Sequence, residues 1–194
     1  MTQQQHRELD AAGIGRFFAD HYRSAGDTLF RLETLPGYDV TDDGPNWRLW
    51  QEGAAEPDPA WKEPWLDTLR REHRAGLRAS RVRIFGKHLT DYERFECHFG
   101  YALNGPAGEE IGVLRAGEHA IPGDLIVQDF WLVNDAHVIV MRYDEAGRFL
   151  RGDLLDDDAA PRYVATRRAA QLAAEPFDTW WARHPELHRR SAAA

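Results

Sequence analysis

Two arginines separated by one residue, Arg81 and Arg83 in "ASRVRIFG", raise the question of chemistry. Alternation with Val82 and Ile84 sets both guanidinium groups on one face of a strand. The chain supplies groups that such cations can meet. These are Tyr92, Arg94 and Glu96 in "TDYERFECHF", Glu109 and Glu110 in "AGEEIGVL", and Asp129, Trp131, Arg142, Tyr143 and Asp144 in "QDFWLVNDAHVIVMRYDEAGRFL". Buried arginines require carboxylates or other acceptors beside them. If these residues converge, they form a salt-bridge network inside the fold or the polar lining of a ligand pocket. The ligand-binding candidates are Arg81, Arg83, Tyr92, Arg94, Glu96, Glu110, Asp129, Trp131, Arg142 and Tyr143. Acid–base work by any of them needs a pKa moved by burial or charge.

Other chemistries find little in the sequence. Cys97 is the single cysteine, which excludes an intramolecular disulfide and CxxC motifs, and a buried structural thiol is expected. Ser24, Ser80 and Ser191 lie in no G-x-S-x-G elbow. Gly13 and Gly15 fall inside a helical pattern rather than after a strand, and "GPAGEE" lacks the Lys and Ser/Thr of a phosphate loop. His184 and His188 have a helical metal-ligand spacing with no third ligand signalled. No cofactor or metal is therefore expected, and no catalytic residue is identified. The formal net charge of −8 argues against direct nucleic-acid binding. Arg70 to Arg83 is locally basic, a face that could take an anionic ligand or simply be the solvent side of a helix and strand, and Gly152 to Asp158 is an acidic run. "MTQQQHRELD" has no apolar signal-peptide region, and "LIVQDFWLV" is too short and polar for a membrane span. A cytoplasmic protein is expected.

These side chains need a scaffold, and 194 residues suit one domain, 1–194, that buries roughly 70% of its unfolded surface. Ile14, Phe17, Phe18 and Tyr22 recur at helical spacing, and "DTLFRLETL" alternates as a half-buried strand. A helix is expected to start near Pro64 and stop at Gly76. Thr90 with Glu93 forms a capping box for the next helix. A strand follows at "EEIGVL". Then Gln128 to Leu150 alternates as strands joined by turns at Asn134–Ala136 and Asp144–Gly147, a β-meander. A closing helix breaks at Pro176, and residues 189–194 read as a frayed tail. The fold class is α+β: an antiparallel sheet with a meander in the C-terminal half and helices mainly on one face.

The connection 40–61 is rich in Trp, Pro, Gly and Asp, with one short element at "NWRLW". Its Trp47, Trp50 and Trp61 must pack onto the sheet or face a partner or ligand, and they are the partner-binding candidates.

"RVRIFGKHLTDYERFE", "AGEEIGVL" and "DFWLVNDAHVIVMRYDEAGRFLRGDLLDD" resemble, in order, an uncharacterised family of actinomycete proteins defined only as a domain of unknown function. The resemblance runs from Phe30 to Trp180 and is best from Val82 to Asp157; Gly112 stands where the family usually carries a charge. Members are often encoded beside helix-turn-helix regulators or their small partner proteins, which implies such a regulator as partner. The family offers no catalytic residues to carry over. Two functions are expected. The first is a noncatalytic cytoplasmic binding or regulatory module that contacts a protein, such as a helix-turn-helix regulator, through the Trp-rich region and sheet edge. The alternative is a small-molecule enzyme or ligand sensor with a polar and aromatic pocket over the meander.

Overall fold

Local signals decide where most elements begin. In a computed structural model that describes residues 6–39 and 44–188, Asp10 caps helix α1 (Ala11–His21) by accepting from the Gly13 amide at 2.6 Å. Thr90 and Glu93 close the expected capping box at the start of α4 (Asp91–Phe95). Helix α3 (Pro59–Arg74) starts a turn earlier than expected, because Asp58 caps the Ala60 amide and Pro59 occupies the first turn. Pro64 is inside the helix, so Trp61 belongs to α3 and not to the loop. The short element at "NWRLW" is α2 (Asn46–Gln51).

The strands are β1 (His6–Leu9), β2 (Thr28–Glu33), β3 (Arg78–Phe85), β4 (Glu110–Arg115), β5 (Phe130–Val133), β6 (His137–Tyr143), β7 (Phe149–Leu155) and β8 (Glu175–Pro176). Among the described residues they form one eight-stranded sheet in the order β1-β7-β6-β5-β2-β3-β4-β8. It is mostly antiparallel, and β2 with β3 and β3 with β4 run parallel. The expected meander is β5-β6-β7. Asn134 and Asp135 take φ of 53° and 54° in its first turn, and Gly147 takes 78° in its second.

Phe30, Leu32, Val82, Leu114, Phe130, Leu132, Val138 and Val140 face helix α6 (Ala160–Ala173), where Tyr163 and Ala170 complete a core. The opposite face carries every other long element. Helix α1 packs there on Val133 and Ile139, and α3 on Ala79. Further along, a π-helical segment (Glu96–Tyr101), α5 (Ala102–Ala107) and α7 (Phe177–Ala182) pack around Phe85, Ile111 and Val113. The closing helix breaks as expected, with β8 inserted between α6 and α7. The expected tail, 189–194, and the first residues of the Trp-rich connection, 40–43, lie outside the described residues. No helix among the described residues is long and apolar enough to cross a membrane.

Gly112 sits where β4 meets α6, and a Cβ there would lie 2.8 Å from the Ala174 Cβ and 3.4 Å from Val82 Cγ2. Gly112→Val should therefore lower unfolding stability in urea by about 1–3 kcal/mol through overpacking. Gly123→Ala, where an added Cβ meets nothing within 4 Å, is expected to leave it nearly unchanged.

Candidate functional site

The face of the sheet turned to α3, the π-helical segment and α5 carries charge in its interior. On β2 the residues alternating with Phe30 and Leu32 are Arg31 and Glu33, and Glu33 is only 4% exposed. The strand is not half-buried as its pattern suggests. It runs between β5 and β3 in the middle of the sheet, so both faces are covered. Parallel pairing sets Arg31 beside Arg81 and Glu33 beside Arg83.

Glu33 is the hub. Its Oε1 lies 3.0 Å from Arg31 Nε, and its Oε2 accepts from Arg81 Nη1 at 2.8 Å and from the Tyr101 hydroxyl at 2.9 Å. Arg81 also donates through Nε to Glu109 Oε1 at 2.7 Å, and Asn104 Nδ2 donates to Glu109 Oε2 at 2.9 Å. Arg83 is fully enclosed and reaches Glu93 Oε1 at 3.3 Å, the Tyr38 hydroxyl at 3.2 Å and the Leu35 carbonyl. The Tyr38 hydroxyl donates to Asp129, which also accepts from the Thr34 amide and hydroxyl at 2.8 Å each. Arg31 donates to the Tyr143 hydroxyl at 3.3 Å and lies 4.9 Å above the Trp131 ring. The chain after β2 is thus strapped to the sheet by the side chains of Arg83 and Asp129.

Charge and burial oppose one another here, and the balance differs by residue. Burial pushes the Glu33 carboxyl up, but Arg31, Arg81 and Arg83, with the Tyr101 hydroxyl, outweigh it and hold the carboxyl well below the usual carboxylate range. Burial wins at Glu93, whose carboxyl is raised despite Thr90 and Arg83. It also raises the Tyr38 and Tyr101 phenols, and pushes Tyr143 up to about 12 against the pull of Arg31. The Cys97 thiol is buried in the core and pushed up, which keeps it protonated.

Of the candidates read from sequence, Arg81, Arg83, Asp129, Trp131 and Tyr143 join this network directly. Tyr92 packs at its border, 5.7 Å from the Tyr38 ring. Arg94 and Glu96 are half-buried on α4 and the π-helical segment. Arg142 does not join: it projects from the other face of β6 and donates to Asp153 at 2.7 Å. Glu110 is exposed at the start of β4. Trp50 is buried and stacks on half-buried Trp47, whereas Trp61 remains 57% exposed.

Sequence reading missed Arg31, Glu33, Tyr38 and Tyr101. The signal was the pair of opposite charges two apart on β2. Read alone, that strand's polar face looks solvated.

The network ends at an opening. A cleft of about 850 Å³ lies between α5, α7 and the edge of β4, with Arg81, Tyr101 and Glu109 at its base. Its walls are mainly apolar and include Val82, Ala102, Pro106, Ile111, Phe177 and Trp181. A pocket was expected over the meander, yet no meander strand lines this cleft. A shallower depression of about 600 Å³ does border the first meander turn, at His137 and Asp157. A recess of about 290 Å³ lies beside Trp61, Trp65, Glu96 and Asn104.

For a metal, His6, Glu8 and Asp153 bring ligand atoms within 4.8 Å of one another, but Arg142 and Arg151 already supply the positive charge at Asp153. His184 and His188 do not share a helical face. They flank a 3₁₀ turn, His184 lying 3.2 Å from Glu118 and His188 stacking on Trp181.

The raised Tyr143 phenol gives a pH prediction. Its contribution to stability is fully present below the ordinary phenol value of 10.0 and is lost as pH rises through about 12. Urea unfolding followed across that window should show stability falling, and the fall should be shallower in Tyr143→Phe by roughly one proton's worth of slope.

A search of curated proteins finds no match to the chain. A family profile described as a domain of unknown function, DUF6879, matches residues 16–182, which span the network, the cleft walls and the sheet from β2 to β8. The chain belongs to the DUF6879 family.

Proposed function

We propose that the protein is a noncatalytic binding module whose ligand is a small molecule held in the cleft between α5, α7 and the β4 edge. The observation that carries this reading is the cleft itself. A volume of about 850 Å³ suits a drug-sized ligand, and apolar walls over a few fixed polar groups are the usual form of such a site. The groups at its base hold one another. Arg81 is bound by Glu33 and Glu109, Glu109 also by Asn104, and Tyr101 by Glu33. Such a floor orients a ligand and does not itself offer a proton-transfer pair, which favours recognition over catalysis.

A second reading rests on Trp61 and Trp65, which are 57% and 43% exposed on successive turns of α3. Exposed indoles of this kind favour a protein partner. A helix-turn-helix regulator is the partner class implied by the sequence resemblance.

Native mass spectrometry of gently purified protein, followed by a thermal-shift screen of small aromatic and apolar compounds, tests the first reading. Ala182 lines the cleft from the exposed end of α7, so Ala182→Trp should fill the mouth without entering the core. The wild type is expected to retain or take up a ligand that the variant does not. Identical responses of the two proteins to every compound would overturn it.

A further inference from the structure

The charges around the cleft narrow its ligand to a chemical class, an inference that rests on the cleft being the binding site. We propose that the cleft takes an amphipathic cation, an ammonium or guanidinium head on an apolar body. The walls account for the body. Phe177 and Trp181 stand with rings stacked at a centroid distance of 5.6 Å, and Val82, Ala102, Pro106 and Ile111 complete an apolar surface.

The sign of the head follows from which charges are already matched. Arg81 is the one arginine lining the cleft among the described residues, and Glu33 and Glu109 both bind it. His188 is exposed, with its Nε2 2.8 Å from the Trp181 carbonyl and its ring 4.0 Å from the Trp181 ring. Two carboxylates remain. Glu110 is exposed, and its carboxylate has no hydrogen-bond or ion-pair partner among the described residues. Asp178 uses Oδ1 to accept from the Thr179 amide at 2.7 Å and hydroxyl at 3.3 Å, and Oδ2 has no partner among the described residues.

Among the described residues, an anion entering here would meet two carboxylates, and the arginine there, Arg81, is already paired. At the start of α7, the Thr179 amide is already taken by Asp178. A neutral ligand would satisfy the walls alone. A cation satisfies both walls and rim: its apolar part is buried, its head stays beside Glu110 and Asp178 in partly open water, and the aromatic faces add attraction. The net charge of −8 acts in the same direction at longer range.

Three compounds with a common body separate the possibilities: 4-tert-butylbenzylamine, 4-tert-butylbenzyl alcohol and 4-tert-butylbenzoate, titrated calorimetrically at neutral pH and low salt. The amine is expected to bind about tenfold more tightly than the alcohol, with the benzoate weakest. Combining Glu110→Gln with Asp178→Asn should bring the amine down to the alcohol's affinity and leave the alcohol unchanged, and Ala182→Trp should weaken all three. Added salt should weaken the amine alone. If the alcohol equals the amine, or the benzoate binds best, while Ala182→Trp still blocks binding, the cation assignment is overturned and the cleft remains the site. If no compound binds the wild type, or Ala182→Trp changes nothing, the cleft reading falls and the assignment with it.

Discussion

Glu33 holds two guanidinium groups and a phenol in a part of the sheet that water scarcely reaches. Removing charges from water costs several kcal/mol per ion in real proteins, and their mutual attraction offsets this only when geometry is good and remaining polar atoms are bonded. Here the geometry is supplied by the sheet. Parallel pairing of β2 with β3 places Arg31, Arg81, Glu33 and Arg83 in adjacent rows on one face. The remaining partners come from above: Tyr101 and Glu93 from the helices that cross this face, and Tyr38 from the strap after β2.

That requirement explains features that otherwise look unrelated. The strap over residues 34–39 lies against the sheet because Arg83 needs the Leu35 carbonyl and Asp129 needs Thr34 and Tyr38. The π-helical segment ends on Tyr101, whose hydroxyl must reach Glu33, and its Gly100 leaves room for the Glu96 carboxylate, which a Cβ would approach to 2.9 Å. Wider helical turns of this kind often occur where a side chain must be re-aimed. At the β4 end the helices α5 and α7 leave a gap, and the last ion pair, Arg81 with Glu109, forms the floor of a cleft.

Much of this was legible from local chemistry. The meander, its turn residues, the capping box at Thr90 and the shared face of Arg81 and Arg83 all follow from nearest-neighbour rules of period, turn and cap. Asp58-Pro59 also signalled the true start of α3, but Pro64 reads as a start of equal strength, and choosing between them needs the packing of Leu66 and Leu69 on Ala107. The site was less legible. Arg142 and Tyr143 are adjacent in sequence and fall on opposite faces, so only Tyr143 reaches the network. Arg31 and Glu33 look like a solvent face until the order of strands is known, because strand order is a long-range property. The cleft depends on α7 folding back beside β4, which no local pattern near Glu109 announces.

The account stands on the coupling between Glu33 and Arg81. A double-mutant cycle with Glu33→Gln, Arg81→Met and the combined variant, followed by urea unfolding at neutral pH, measures it directly. Each single change should cost about 3–5 kcal/mol, because it leaves an uncompensated charge in the interior. The double variant should lose less than the sum by about 1–3 kcal/mol. Single losses that are small and strictly additive would show that the pair does not organise this face of the sheet.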